Sequence, residues 1–181
     1  MATEIYLGNP PQHVIDWIKA HSKPAAKNET HIKFTDGTEG DYLIEGVMNC
    51  PALIAAGLMP EGSGIEETPT WIKYPVEVEI GSVVTDIDGI FYSCSMLTSM
   101  TIPNSVTRIG SYTFAYCSGL TSVTIPNSVT SIGDRVFESC SGLTSVTFSG
   151  KDKAIVQGMA NYSWGLATGC VLHCTDGDIA I

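Results

Sequence analysis

Positive charge is scarce in this chain. Nine lysines and arginines stand against nineteen aspartates and glutamates, for a net charge of -10. A surface of that sign repels phosphate backbones, and no Lys/Arg cluster makes a local exception, so nucleic acid is not an expected partner. Long apolar runs are missing too. No stretch approaches the roughly 18 apolar residues that cross a bilayer, so no membrane insertion is expected. The opening MATEIYLGNPPQHVIDWIKAHSK has no charged segment leading into an unbroken apolar run. No Sec signal is therefore read, and a cytoplasmic or non-classically exported protein is expected, with the compartment left open. Histidine is rare: His13, His21, His31 and His173 lie in unrelated segments. There is no G-x-S-x-G elbow, no G-x-x-x-x-G-K-[ST] loop and no G-x-G-x-x-G turn. Asp86-Ile87-Asp88-Gly89 and Asp176-Gly177-Asp178 read as turns, since neither continues as a calcium loop. A non-enzymatic protein without a cofactor or metal is expected.

What the chain does have is a repeat. SVTRIGSYTFAYCSGLTSVTIPN (residues 105–127) is followed by SVTSIGDRVFESCSGLTSVTFSG (128–150), and a looser copy, SVVTDIDGIFYSCSMLTSMTIPN (82–104), precedes both. Phe91, Phe114 and Phe137 recur every 23 residues, a period that signals a stacked solenoid. Within each copy the pattern Leu-x-x-Val-x-Ile, as in Leu120, Val123 and Ile125, places alternate residues inward on a strand. Pro126-Asn127 then turns the chain, and Val129 and Ile132 build a second wall. Cys94, Cys117 and Cys140 hold one repeat position, as a ladder of reduced, buried thiols would. VEIGSVVTDI (78–87) aligns without gaps on VTIPNSVTSI (123–132), so a degenerate first rung makes about three and a half rungs in all. From Ile87 to Phe91 this rung is one residue short, which predicts an irregularity at Asp88-Gly89.

Non-repeating segments flank the stack. Asn9, Pro10 and Pro11 open an expected helix with the stripe Val14, Ile15, Trp17 and Ile18, stopped by Pro24. Residues 31–45 read as two strands about an Asp-Gly turn, 50–60 as a short buried helix, and 61–70 as a linker. Beyond the repeats, 151–161 suit a short helix and 170–181 a terminal hairpin about Asp176-Gly177. The expected organisation is an α+β capping region at 1–70, repeats at 71–150 and a helix-plus-hairpin cap at 151–181. Such ends cover the last apolar rungs and their open edges.

The Ile-Gly, Phe, Cys, Leu and Ile-Pro positions of residues 105–148 closely resemble the BspA-like (treponemal-type) leucine-rich repeat of bacteria. The resemblance covers residues 76–150. It implies a β-rich α/β fold, a right-handed solenoid with a parallel sheet on one face, and a role in adhesion or protein recognition.

Candidate binding residues fall into two groups. Ser99/Thr101, Ser122/Thr124 and Ser145/Thr147 should project from the sheet as an uncharged hydroxyl patch for a protein or glycan. A competing reading is that threonine merely favours strands and bonds across rungs. Three rungs make a face only about 10–15 Å wide. The second group is the side chains that do not repeat: Arg108, Tyr112, Tyr116, Arg135 and Glu138. Two further readings stay open, a structural or homo-oligomeric component associated with a phage or cell surface, and a small metal or hydrolytic protein using Cys170, His173 and Cys174. Against the latter, zinc sites usually need two ligand pairs, and strand parity sends His173 away from the cysteines.

Overall fold

The computed structural model describes residues 28–59, 71, 74–159 and 164–181. The expected helix after Asn9 and the linker at 61–70 lie outside the described residues. Each rung turns twice through extended structure, and the strands stack into two faces. On the first, β4 (Pro75–Glu79) and β6 (Ser99–Thr101) pair in parallel, as do β8 (Ser122–Ile125), β10 (Ser145–Phe148) and β11 (Val171–Cys174). On the second, β3 (Gly46–Met48), β5 (Val84–Ile87), β7 (Arg108–Ile109) and β9 (Ser131–Ile132) run in parallel. Asp86 pairs with Arg108 and Arg108 with Ser131, offsets of 22 and then 23 residues, so the short first rung is real. Gly89 absorbs it with φ +67°, a conformation that costs glycine nothing.

The stack extends beyond three and a half rungs. The terminal hairpin exists, as β11 antiparallel to β12 (Gly177–Ala180), but β11 also pairs in parallel with β10 and so continues the ladder. At the other end, β1 (Thr30–Phe34) pairs antiparallel with both β4 and β2 (Glu39–Tyr42). The β1–β2 turn is closed by Asp36 Oδ1, which accepts from the Thr38 amide and hydroxyl at 3.0 and 2.6 Å. Helix α1 (Cys50–Ala55) is capped by Asn49, whose side chain accepts from the Ala52 amide at 3.1 Å. Helix α2 (Lys153–Met159) follows the last full repeat and buries Val156. The first face is thus two four-stranded sheets, β2-β1-β4-β6 and β8-β10-β11-β12, meeting where β6 and β8 adjoin without ladder pairing.

Between the walls the repeated positions become columns. Leu97, Leu120 and Leu143 are buried, as are Val106 with Val129 and Ile109 with Ile132. The aromatic column is longer than the repeats: Trp71 stacks on Phe91 at 5.7 Å, Phe91 on Phe114 at 5.8 Å and Phe114 on Phe137 at 5.7 Å. Trp71 also donates its indole N–H to the Ile90 carbonyl at 2.9 Å, which satisfies its polar end inside the core. The thiol column is held by the backbone of the preceding rung. Cys117 Sγ donates to the Phe91 carbonyl at 3.1 Å, and Cys140 Sγ to that of Phe114 at 2.9 Å. Lys151, one period after Ser128, is buried and donates its ammonium to the Asn127 carbonyl at 2.7 Å.

Candidate functional site

The first face carries two rows of outward side chains. Pairing puts Glu77 beside Ser99 and Glu79 beside Thr101, then Ser122 beside Ser145 and Thr124 beside Thr147. Val171 and His173 follow in register. Ser99, Thr101, Ser122 and Thr124 are exposed, while Ser145 and Thr147 are half-buried. The hydroxyl patch therefore sits inside a wider face. Eight strands at about 4.8 Å span roughly 34 Å, more than twice the width that three rungs alone allow.

Charge lies only on the flanks of this face. On one side Lys33 binds Glu77 at 2.9 Å, and His31 lies 2.8 Å from Asp41. On the other, His173 Nδ1 is 2.8 Å from Asp178 Oδ1. The alternation in Val76-Glu77-Val78-Glu79 was the sequence signal for this flank, because it aligns with Ser99 and Thr101 at the 22-residue offset.

Threonines elsewhere in the repeats behave differently. Thr98, Thr107, Thr130 and Thr144 stand at the strand entries, and each donates its hydroxyl to a carbonyl one rung back, at 3.2 to 3.4 Å. Cross-rung bonding thus accounts for these four. The six face hydroxyls make no such bond. Among the described residues none of the six side chains has a hydrogen-bond partner, which leaves their donor and acceptor capacity intact.

The non-repeating candidates divide. Arg108 belongs to the second sheet, with its guanidinium 3.9 Å from Asp88. Tyr112, Tyr116, Arg135 and Glu138 gather instead on the corner between the second sheet and the first. Arg135 lies over the Tyr112 ring at 5.9 Å and 3.8 Å from Glu138. Tyr92, which sequence reading passed over, joins them, its ring 5.2 Å from that of Tyr116. It escaped notice because it occupies a different repeat position, equivalent to Ala115. Partial burial, then the Tyr116 phenol, push the Tyr92 hydroxyl above its ordinary value, with Glu138 and Tyr112 adding to the effect.

The metal alternative gains no support. Cys170 and Leu172 are buried, Cys174 is half-buried on the same strand face, and His173 turns outward to Asp178. Among the described residues no group of three His, Cys, Asp or Glu is placed to hold a metal ion. The cysteines of the column are poor nucleophiles as well. Burial pushes Cys94 to about 12 and Cys140 to about 11, so neither presents a thiolate at neutral pH. Among the described residues no helix is long and apolar enough to cross a membrane.

The BspA type leucine-rich repeat model matches in six copies across residues 76–167, just over half of the chain. The chain belongs to this family. BspA-type repeats are modules that typically mediate interactions. Among solved structures, a leucine-rich repeat protein from Bacteroides ovatus is 23% identical, with a TM-score of 0.35 over 40% of this chain and 25% of that one. The T. pallidum leucine-rich repeat protein is 27% identical, with a TM-score of 0.33 over 40% of this chain and 45% of that one. A leucine-rich cell surface protein from Faecalibacterium prausnitzii is 20% identical, with a TM-score of 0.31 over 70% of this chain and 46% of that one. The chain thus spans less than half the length of each of these relatives. No curated protein matches it.

Proposed function

We propose that this BspA-type chain is a non-enzymatic interaction module that binds a protein partner across its first sheet face. The observation that carries this reading is the contrast among the hydroxyls. Threonines at the strand entries bond to the neighbouring rung, whereas Ser99, Thr101, Ser122, Thr124, Ser145 and Thr147 form two rows without side-chain hydrogen bonds among the described residues. A rigid array of donors and acceptors loses little conformational entropy on binding, since short Ser and Thr side chains have few rotamers to fix. The binding element in this reading is residues 71–150, with 1–70 and 151–181 covering its ends. The flanking strands widen the face toward the roughly 800 Å² per partner that a stable interface buries.

The test is affinity capture with wild-type protein and a variant carrying Thr101→Glu, Thr124→Glu and Thr147→Glu. The three carboxylates fill the central row with like charge without touching the core. A partner retained by wild type and lost by the triple variant supports the reading. A partner held equally by both removes the sheet face as its site.

A further inference from the structure

The tyrosine corner is independent of the sheet face, and its construction departs from the repeat. Tyr112, Tyr116 and Arg135 adopt left-handed backbone, with φ of +57°, +62° and +52°. Their equivalents are Gly89 at +67° and Ser93 and Ser139 at +59° and +57°. A bulky side chain at such a position costs on the order of 1–2 kcal/mol, which glycine avoids. Three of these positions nonetheless hold large side chains. Tyr112 and Tyr116 remain 38% and 43% exposed, so they are not there to fill the core.

Three tyrosines from three different repeat positions converge here, beside one guanidinium and one carboxylate that neutralise each other. The result is a patch with aromatic faces and hydrogen-bonding groups of both kinds, in which the Arg135 and Glu138 charges oppose each other at 3.8 Å. A pyranose has matching chemistry. The C–H groups on one side of the sugar ring carry slight positive charge and pack on the negative face of an aromatic ring. Its neighbouring hydroxyls both donate and accept, and so engage a carboxylate and a guanidinium together. A protein hot spot would instead seat an anchor in a desolvated pocket, whereas the Tyr112 and Tyr116 rings stand out from the corner.

We propose that this corner binds a neutral glycan, with Tyr92, Tyr112 and Tyr116 as stacking surfaces and Arg135 and Glu138 as hydrogen-bonding groups. The decisive variant is Tyr112→Gly combined with Tyr116→Ser. Each change installs the residue that the fold already holds at the equivalent left-handed position, so the native state is retained and circular dichroism checks this. Wild type and the double variant are screened on a glycan array. They are then titrated by calorimetry with hexamers of β-1,4-linked glucose, xylose and N-acetylglucosamine. Binding by wild type, weakened about tenfold or more in the double variant, is the expected result, since the variant removes two aromatic stacks. The triple glutamate variant of the face should bind the sugar as wild type does, which keeps the two sites distinguishable. An array without a neutral-glycan signal overturns the proposal, as does a double variant that binds unchanged. Loss of a protein partner in the double variant, with no sugar bound by wild type, would reassign the corner to protein recognition and overturn it too.

Discussion

Phe114 is the middle ring of the aromatic column, and removing it tests the packing account most directly. Its side chain is fully buried between Phe91 and Phe137, at 5.8 and 5.7 Å. An aromatic side chain buries about 150–250 Å², which at about 25 cal/mol per Å² corresponds to roughly 4–6 kcal/mol as an upper bound. The site resists collapse. The Phe114 amide donates to the Val136 carbonyl at 3.0 Å and its own carbonyl accepts from Cys140 Sγ, so the backbone stays with its neighbours when the ring is gone. Phe114→Ala should therefore cost about 3–5 kcal/mol, lowering Tm by roughly 6–20 °C in a chain of this length. A double-mutant cycle isolates the stacking. Phe91 and Phe114 touch and should couple by about 0.5–1.5 kcal/mol, while Phe91 and Phe137 are two rungs apart and should couple by less than about 0.5. Urea denaturation followed by circular dichroism measures both. A loss below about 1 kcal/mol for Phe114→Ala, or equal coupling in the two cycles, would refute the column as the principal stabilising element.

The hydroxyl contrast predicts that Thr107→Ala and Thr130→Ala each cost about 0.5–1 kcal/mol, while Thr101→Ala and Thr124→Ala stay within about 0.5 of wild type in the same denaturation assay. The buried thiols predict a pH effect of definite sign. Their folded values are raised, so their contribution is intact below the ordinary thiol value of 9.0 and is lost as pH climbs toward about 12. Stability should fall across that window, and less steeply in Cys94→Ala, as thermal melts from pH 8 upward will show. At neutral pH a thiol reagent should label Cys174 before Cys94, Cys117 or Cys140, read by peptide mass spectrometry. Gly119→Ala would set a Cβ 2.6 Å from the Ser95 carbonyl oxygen, and Gly142→Ala would crowd Ser118 in the same way. Because the obstacle is backbone, each should destabilise by more than about 1 kcal/mol in denaturant titration.

How much could be read beforehand depended on whether a residue repeats. The 23-residue spacing of Phe, Cys, Leu and Ile specified inward columns, because a buried position in one rung must be buried in the next for the rungs to stack. The turn residues were equally legible: Asp36-Gly37 and Asp176-Gly177 act through local backbone chemistry. Tyr92 illustrates what was not legible. Its pairing with Tyr116 joins different repeat positions on successive rungs, and no period marks such a diagonal contact. Nor did alternation tell the face threonines from Thr107 and Thr130, since both kinds are outward and differ only in whether a carbonyl lies within reach.

By itself the sequence determined a solenoid of BspA-type repeats, with its inward columns and its outward hydroxyl rows, because periodic burial is a one-dimensional property written along the chain. Tertiary structure alone decided how far the face extends and what bounds it. Strand pairing brings His31, Lys33 and Glu77 against one side of the face and His173 and Asp178 against the other, although they are scattered along the chain. It also separated Arg108 from the tyrosine corner and drew Tyr92 into it. Each of these juxtapositions is set by register between strands distant in sequence, and register is fixed only when the rungs stack.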